Sequence, residues 1–348
     1  MNAQWLKVAV AVVLLTAAAS AEAGGLDRVG TAGAQELRIP VGAASVAIGG
    51  SAVALGNGLE NLFYNPASLA ATDNSEAIAT YSTYLFDSKV NYGAVSTRLG
   101  TQGTIAFAAK VLNVGDITVT TEAAPEGTGE ILAPTFSVLS LAYGRRMTDR
   151  VLLGLTGSYV NEKVADATAT GMAFDFGVQY DTGWRGLRFG FVMKNVGPNM
   201  RFGGPSFEQR ITVPGDDPTA APHVVSLQPA EFELPSYLQL GVSYDVPVGG
   251  DQRHATVYGT FQGNNFSTDE FRLGGEFPVG NWLALRGGFV GQMPLKQTDR
   301  QEDYLYNWSY GAGINFKMGD RPVSFDWAGT HVGQFFSDNQ QFSLSIAF

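Results

Sequence analysis

Gln340-Gln341-Phe342-Ser343-Leu344-Ser345-Ile346-Ala347-Phe348 ends the chain. In an extended strand Phe342, Leu344, Ile346 and Phe348 share one face, and Gln341, Ser343, Ser345 and Ala347 share the other. An aromatic row that runs to the last residue suits a strand whose outer side meets lipid and which closes a ring against the ring's first strand. An edge strand of a soluble all-β protein alternates in the same way. The rest of the sequence has to decide between the two.

The alternation recurs from Glu76 onward. In Asn307–Met318 one face holds Trp308, Tyr310, Ala312, Ile314, Phe316 and Met318, and the other holds Asn307, Ser309, Gly311, Gly313, Asn315 and Lys317. Leu238, Leu240, Val242, Tyr244 and Val246 oppose Gln239, Gly241, Ser243 and Asp245. About fourteen such segments can be read, each near the roughly nine to eleven residues that cross a bilayer at a tilt.

Their connections sort by parity. The even-to-odd ones are short: Gly100-Thr101, Thr148-Asp149, Thr182-Gly183, Gly249–Arg253, Val279-Gly280 and Gly319–Arg321. Every long one is odd-to-even: Asn113–Ala133, Glu162–Ala169, Val196–Leu234, Met293–Leu305 and Val332–Asn339. Short turns on one rim and long loops on the other characterise outer-membrane barrels, whereas a sandwich has no reason to sort its loops. The expected fold is therefore all-β, a transmembrane outer-membrane β-barrel of about fourteen antiparallel strands over residues 76–348.

Charge placement agrees. A Lys or Arg facing lipid at mid-membrane costs about 2–4 kcal/mol, so charges belong on the inward register. Asp175, Arg188, Arg272, Glu276 and Arg286 each lie opposite their strand's apolar row. They are expected to line the lumen, where paired charges hold the interior together.

Composition excludes other classes. The hydrophobic fraction is 45%, mean hydropathy is +0.02, and no internal apolar run approaches the roughly 18 residues of a membrane helix. A net charge of -10 with pI near 4.8 argues against nucleic acid as a partner. With Cys 0, disulfide and thiolate chemistry are excluded. His223, His254 and His331 lack metal-ligand spacing, and no Gly-x-Ser-x-Gly elbow is present. An enzyme is not expected, and no cofactor is implied.

Residues 1–23 read as a secretory signal, with Lys7, the apolar Val8 to Ala19 and an Ala21-Glu22-Ala23 cleavage site. Residues 24–75 are small and lack two-residue alternation, so short helices and turns are expected there. Fourteen strands enclose more space than eight strands fill with side chains, and this segment has the size and composition of a plug. Asn65, Pro66 and Ala67 mark its break towards the first strand.

Three blocks carry a resemblance: Gly33–Ala43, Ala47–Ala54, and Leu62-Phe63-Tyr64-Asn65-Pro66-Ala67-Ser68-Leu69-Ala70. In this order they resemble the N-terminal region of PorV/PorQ outer-membrane proteins. They are more distantly similar to FadL-type channels, which share the Asn-Pro-Ala element. The PorV likeness implies a part in type IX protein secretion, with secreted cargo proteins as partners. The FadL likeness implies a gated passive channel for a small hydrophobic ligand. Either places the chain among outer-membrane lipids in a Gram-negative-type envelope, with both termini periplasmic. The terminal row Phe342, Leu344, Ile346 and Phe348 also resembles the signal read by the barrel assembly machinery. Within Val196–Leu234, a proline-rich loop, Phe202, Phe207, Leu227 and Phe232 are candidates for an apolar docking surface, an apolar entrance, or packing over the barrel mouth.

Overall fold

The computed structural model describes residues 28–56, 58–211, 223–248, 254–292, 306–333 and 336–348. The signal-peptide reading of residues 1–23, the Gly249–Arg253 turn and the whole Met293–Leu305 loop lie outside them.

Fourteen strands form one antiparallel ring: β1 (Glu76–Thr83), β2 (Lys89–Arg98), β3 (Thr104–Asn113), β4 (Thr135–Arg146), β5 (Val151–Val164), β6 (Ala167–Asp181) and β7 (Arg188–Val196), then β8 (Tyr237–Pro247), β9 (His254–Asn264), β10 (Glu270–Val279), β11 (Leu283–Gln292), β12 (Tyr306–Met318), β13 (Arg321–Val332) and β14 (Asn339–Ala347). Each pairs with its sequence neighbours. The two-residue strand Phe202–Gly203 adds to the loop-side end of β6. The terminal strand closes the circle, from Glu76 opposite Ala347 to Ser82 opposite Gln341. Ser75 and Phe348 then exchange backbone hydrogen bonds of 3.2 and 2.9 Å. Closure leaves no ladder edge, the condition for placing strands in hydrocarbon.

The faces separate as the alternation requires. Phe342 and Leu344 stand exposed on the outside and Ile346 is half-buried, while Gln341 and Ser343 are buried inside. The same outward row continues through Phe325, Tyr310, Leu285 and Leu273 on one flank and through Tyr81, Val95, Phe107 and Leu141 on the other. Such a continuous apolar exterior is stable only against lipid.

The long connections do fall on one rim, with one correction. The expected Glu162–Ala169 loop is mostly strand. Glu162 pairs with Ala169, Lys163 with Thr168 and Val164 with Ala167, leaving a tight turn at Ala165-Asp166 in which Ala165 has a φ of 52°. Continued pairing satisfies backbone groups that a loop would leave to solvent. Two of the other long loops carry small ribbons of their own, Ile117–Thr118 with Ile131–Leu132 and Glu208–Ile211 with His223–Ser226.

Residues 28–75 lie against lumen-facing residues around the ring. Their pieces are 3-10 turns at Gln35–Arg38, Gly58–Asn61 and Pro66–Ala70 and one short helix, α1 (Ala43–Ala47). These backbones approach the wall where the wall has no side chain. A Cβ on Gly154 would fall on the Pro66 carbonyl and the Ala67 nitrogen, and one on Gly288 on the Ile48 carbonyl and Gly49. Interior glycines in these strands therefore mark backbone-to-backbone contact.

Candidate functional site

Asn65 is the most connected residue of the inner segment. Its side-chain oxygen accepts from the Ala67 nitrogen at 3.0 Å, capping the Pro66–Ala70 turn. Its amide nitrogen donates to the carbonyls of Val53, Val178 and Phe191 at 2.8, 3.2 and 3.3 Å. One buried side chain thus joins the segment to itself, to β6 and to β7. Pro66 supplies a fixed φ at the first helical position, and Ala67 fits where a larger residue would meet the wall.

Above this turn, towards the long loops, the attachment is ionic. Lys110 on β3 donates to the Ile39 carbonyl at 3.2 Å, and Lys194 on β7 donates to the Phe63 carbonyl. Their ammonium groups lie 4.7 and 4.1 Å from the centroid of the Phe63 ring, a double cation–π contact. Asp175 balances Lys194 at 3.5 Å. Glu36 is buried beside Glu162. Burial first, and then the Glu162 charge, push the Glu36 carboxyl up to about 8. Burial first, and then Asp326, push Glu60 up to about 8 as well.

The remaining sequence-selected charges are paired on the inner face. Arg286 donates to Glu276 at 2.6 Å and to Asp326 at 2.5 Å. Arg272 donates to Glu270 at 2.5 Å and to the Gly49 carbonyl at 3.2 Å, tying β10 to the inner segment. Arg188 sits 3.3 Å from Asp181 and 3.5 Å from Asp245 near the turn rim. Lys110, Lys194, Glu270 and Asp326 were not singled out from sequence, yet each obeys the register rule that selected Arg286.

The inner segment divides the space between two cavities. The loop-side one is about 360 Å3 and the turn-side one about 560 Å3. Val46, Gly49 and Gly50 border the first, and Ala44 and Ile48 border the second, so α1 and the residues after it form the partition. Amide side chains dominate the polar wall of the first: Gln239, Gln262, Gln292, Asn339 and Gln341, beside the rings of Tyr64, Tyr84 and Tyr237. Carboxylates dominate the second: Glu60, Glu76, Glu276 and Asp326, with Arg286.

The four candidate docking residues do not form one outward surface. Phe202 and Phe232 stack at 5.6 Å between centroids and pack on the buried cluster of Ala34, Leu37, Met200 and Leu234. Of the three readings open for these residues, this placement of Phe202 and Phe232 agrees with packing over the barrel mouth, since burying two rings over the inner segment removes apolar surface from water. Phe207 is half-buried and Leu227 exposed, linked by the Leu227 nitrogen donating to the Phe207 carbonyl at 2.8 Å. His331 meets Asp338 at 3.0 Å, and among the described residues no group of side chains could hold a metal ion.

No protein-family model matches the sequence, and no curated protein does. Solved structures do resemble the fold. The Pseudomonas putida toluene transporter TodX aligns with a TM-score of 0.55 at 12% identity, over 88% of this chain and 96% of that one. A Pseudomonas aeruginosa FadL homologue aligns with a TM-score of 0.51 at 14% identity, over 89% and 98%. The monoaromatic hydrocarbon channel CymD gives 0.51 at 14% identity, over 88% and 96%. The fold is that of FadL-like outer-membrane transporters. None of these three is a PorV or PorQ protein, and that part of the resemblance rests on the sequence motifs alone.

Proposed function

We propose that the chain is an outer-membrane channel that admits small, largely apolar molecules passively, with residues 28–75 as its gate, long loops outside and both termini periplasmic. The observation that carries this reading is the arrangement inside the ring: a loop-side and a turn-side cavity separated by a thin, small-residue partition. The solved transport channels of the same fold support it. Protein export has less to stand on, because Phe202 and Phe232 pack, partly buried, on the cluster over the inner segment. Paired lumen charges then serve to hold the gate and wall together. Phe342, Leu344, Ile346 and Phe348 would serve assembly. Replacing Phe348 with Asp should reduce heat-modifiable barrel on gels while leaving export to the periplasm intact.

The test is initial-rate uptake of radiolabelled toluene by cells with and without the protein, alongside their secreted proteome. Expression-dependent uptake with an unchanged secretome is the expected result. Altered secretion with unchanged uptake would return the chain to the export reading.

A further inference from the structure

The loop-side cavity is not lined as a site for plain hydrocarbon. Gln239 donates to Gln262 at 2.6 Å, and Gln262 donates to Asn264 at 2.8 Å, so each amide in the relay is fixed by the next. Gln341 donates to the Pro40 carbonyl at 3.3 Å. These bonds use the nitrogens. The Gln239 and Gln341 side-chain oxygens and the Tyr64 hydroxyl are buried and have no hydrogen-bond partner among the described residues. All three residues border the cavity, and each is at least nine-tenths buried: Gln239 is 3% exposed, Gln341 4% and Tyr64 4%. Two amide oxygens can only accept, so the wall's unmet demand is for O–H or N–H donors. The neighbouring rings of Tyr84 and Tyr237 suit a flat apolar body.

Charge adds a second constraint. The loop-side wall holds Arg38 and Arg272 around Glu270. The turn-side wall sets Glu60, Glu76, Glu276 and Asp326 against Arg286. Four carboxyl groups face one guanidinium there. An anion drawn to the first cavity is opposed by the second, because low-dielectric walls focus these fields.

We propose that the channel favours neutral ring compounds bearing a hydroxyl or amide donor, and that the turn-side carboxylates discriminate against their anionic counterparts. This rests on the channel reading above and names its substrate class.

The test is a series with one body and three substituents, measured as expression-dependent initial uptake at pH 7: toluene, p-cresol and p-toluate. Expected is p-cresol above toluene by roughly 3- to 10-fold, the range that one net hydrogen bond supports, with p-toluate lowest. Gln341→Leu should lower the ratio of p-cresol to toluene uptake towards one, and Glu276→Gln should raise p-toluate relative to toluene. Heat-modifiable migration verifies that each variant is assembled, and the wild-type series decides the question even where a variant is not. Toluene uptake equal to or above p-cresol, or p-toluate equal to p-cresol, overturns the inference and leaves the channel standing. Absence of expression-dependent uptake for all three overturns the channel reading itself.

Discussion

The wall of β3 to β7 grips the inner segment differently in its two halves. Towards the short turns, Gly144, Gly154 and Gly190 let the backbones of residues 53–54 and 66–70 lie directly on the strands, and Gly177 makes room for the Asn65 side chain. Towards the long loops, the same wall presents Lys110, Glu162, Asp175 and Lys194, and Lys110, Asp175 and Lys194 border a small cavity of about 50 Å3. The first contact is steric and dry, and it has one geometry. The second is made of long side chains that can re-pair, and it depends on protonation. On the channel reading proposed above, the gate has its fixed end at the turn rim and its movable end at the loop rim.

Gly154→Val attacks the fixed end and should have the largest effect. The added side chain would occupy the position of the Pro66 carbonyl and the Ala67 nitrogen. Overpacking of this kind typically costs about 1–3 kcal/mol. The segment is expected to shift, and assembled barrel to leak bulky hydrophilic dyes that the wild type excludes. A variant that assembles and stays sealed would show that the glycine contacts do not anchor the gate. Asn65→Ala comes next. It leaves the Val53, Val178 and Phe191 carbonyls short of a donor and removes the turn's cap, a loss of about 1–3 kcal/mol. Dye leakage should rise, with heat-modifiable migration retained.

How much of this was legible in the sequence follows from the physics of each part. A two-residue period with an apolar row is a property of one strand and its solvent, so Asn307–Met318 and the terminal strand could be read directly. The inward placement of Arg286 and Arg272 followed from the cost of a charge in lipid. Applied to every strand, the same rule reaches Lys110, Lys194 and Asp326. The partners of Asn65 could not be read, because Val178 and Phe191 are more than a hundred residues away and only the ring's closure brings them in. The unpaired oxygens of Gln239 and Gln341 are likewise products of packing. For Phe202 and Phe232 three readings stay open at the level of sequence, because a long loop's composition does not reveal which side covers it.

The movable end should respond less strongly, and differently. Lys194→Met removes the donor to the Phe63 carbonyl and the partner of Asp175 while keeping the apolar stem. The expected outcome is faster hydrogen exchange over residues 59–64, with the Pro66–Ala70 turn unchanged. Equal acceleration in both stretches would mean that the two halves move as one.

The smallest effect expected is that of pH, and it gives the finest test of the distinction. In the docked segment the Glu36 carboxyl is held up to about 8 by burial, and secondarily by Glu162, against an ordinary value of 4.5. Between those values the docked state binds a proton that the released segment gives up. Docking is therefore fully supported below 4.5 and loses that support as pH rises through about 8. Hydrogen exchange of residues 35–39 should quicken from pH 6 to pH 9, after correction for intrinsic rates, while the Pro66–Ala70 turn stays constant. Glu36→Gln keeps a neutral, hydrogen-bonding side chain at every pH and should flatten the profile. If the profile persists in that variant, Glu36 is not the group responsible, and the pH-sensitive joint lies at another buried group, such as Lys110, which holds the Leu37 and Ile39 carbonyls, or Glu60 on the partition's far side.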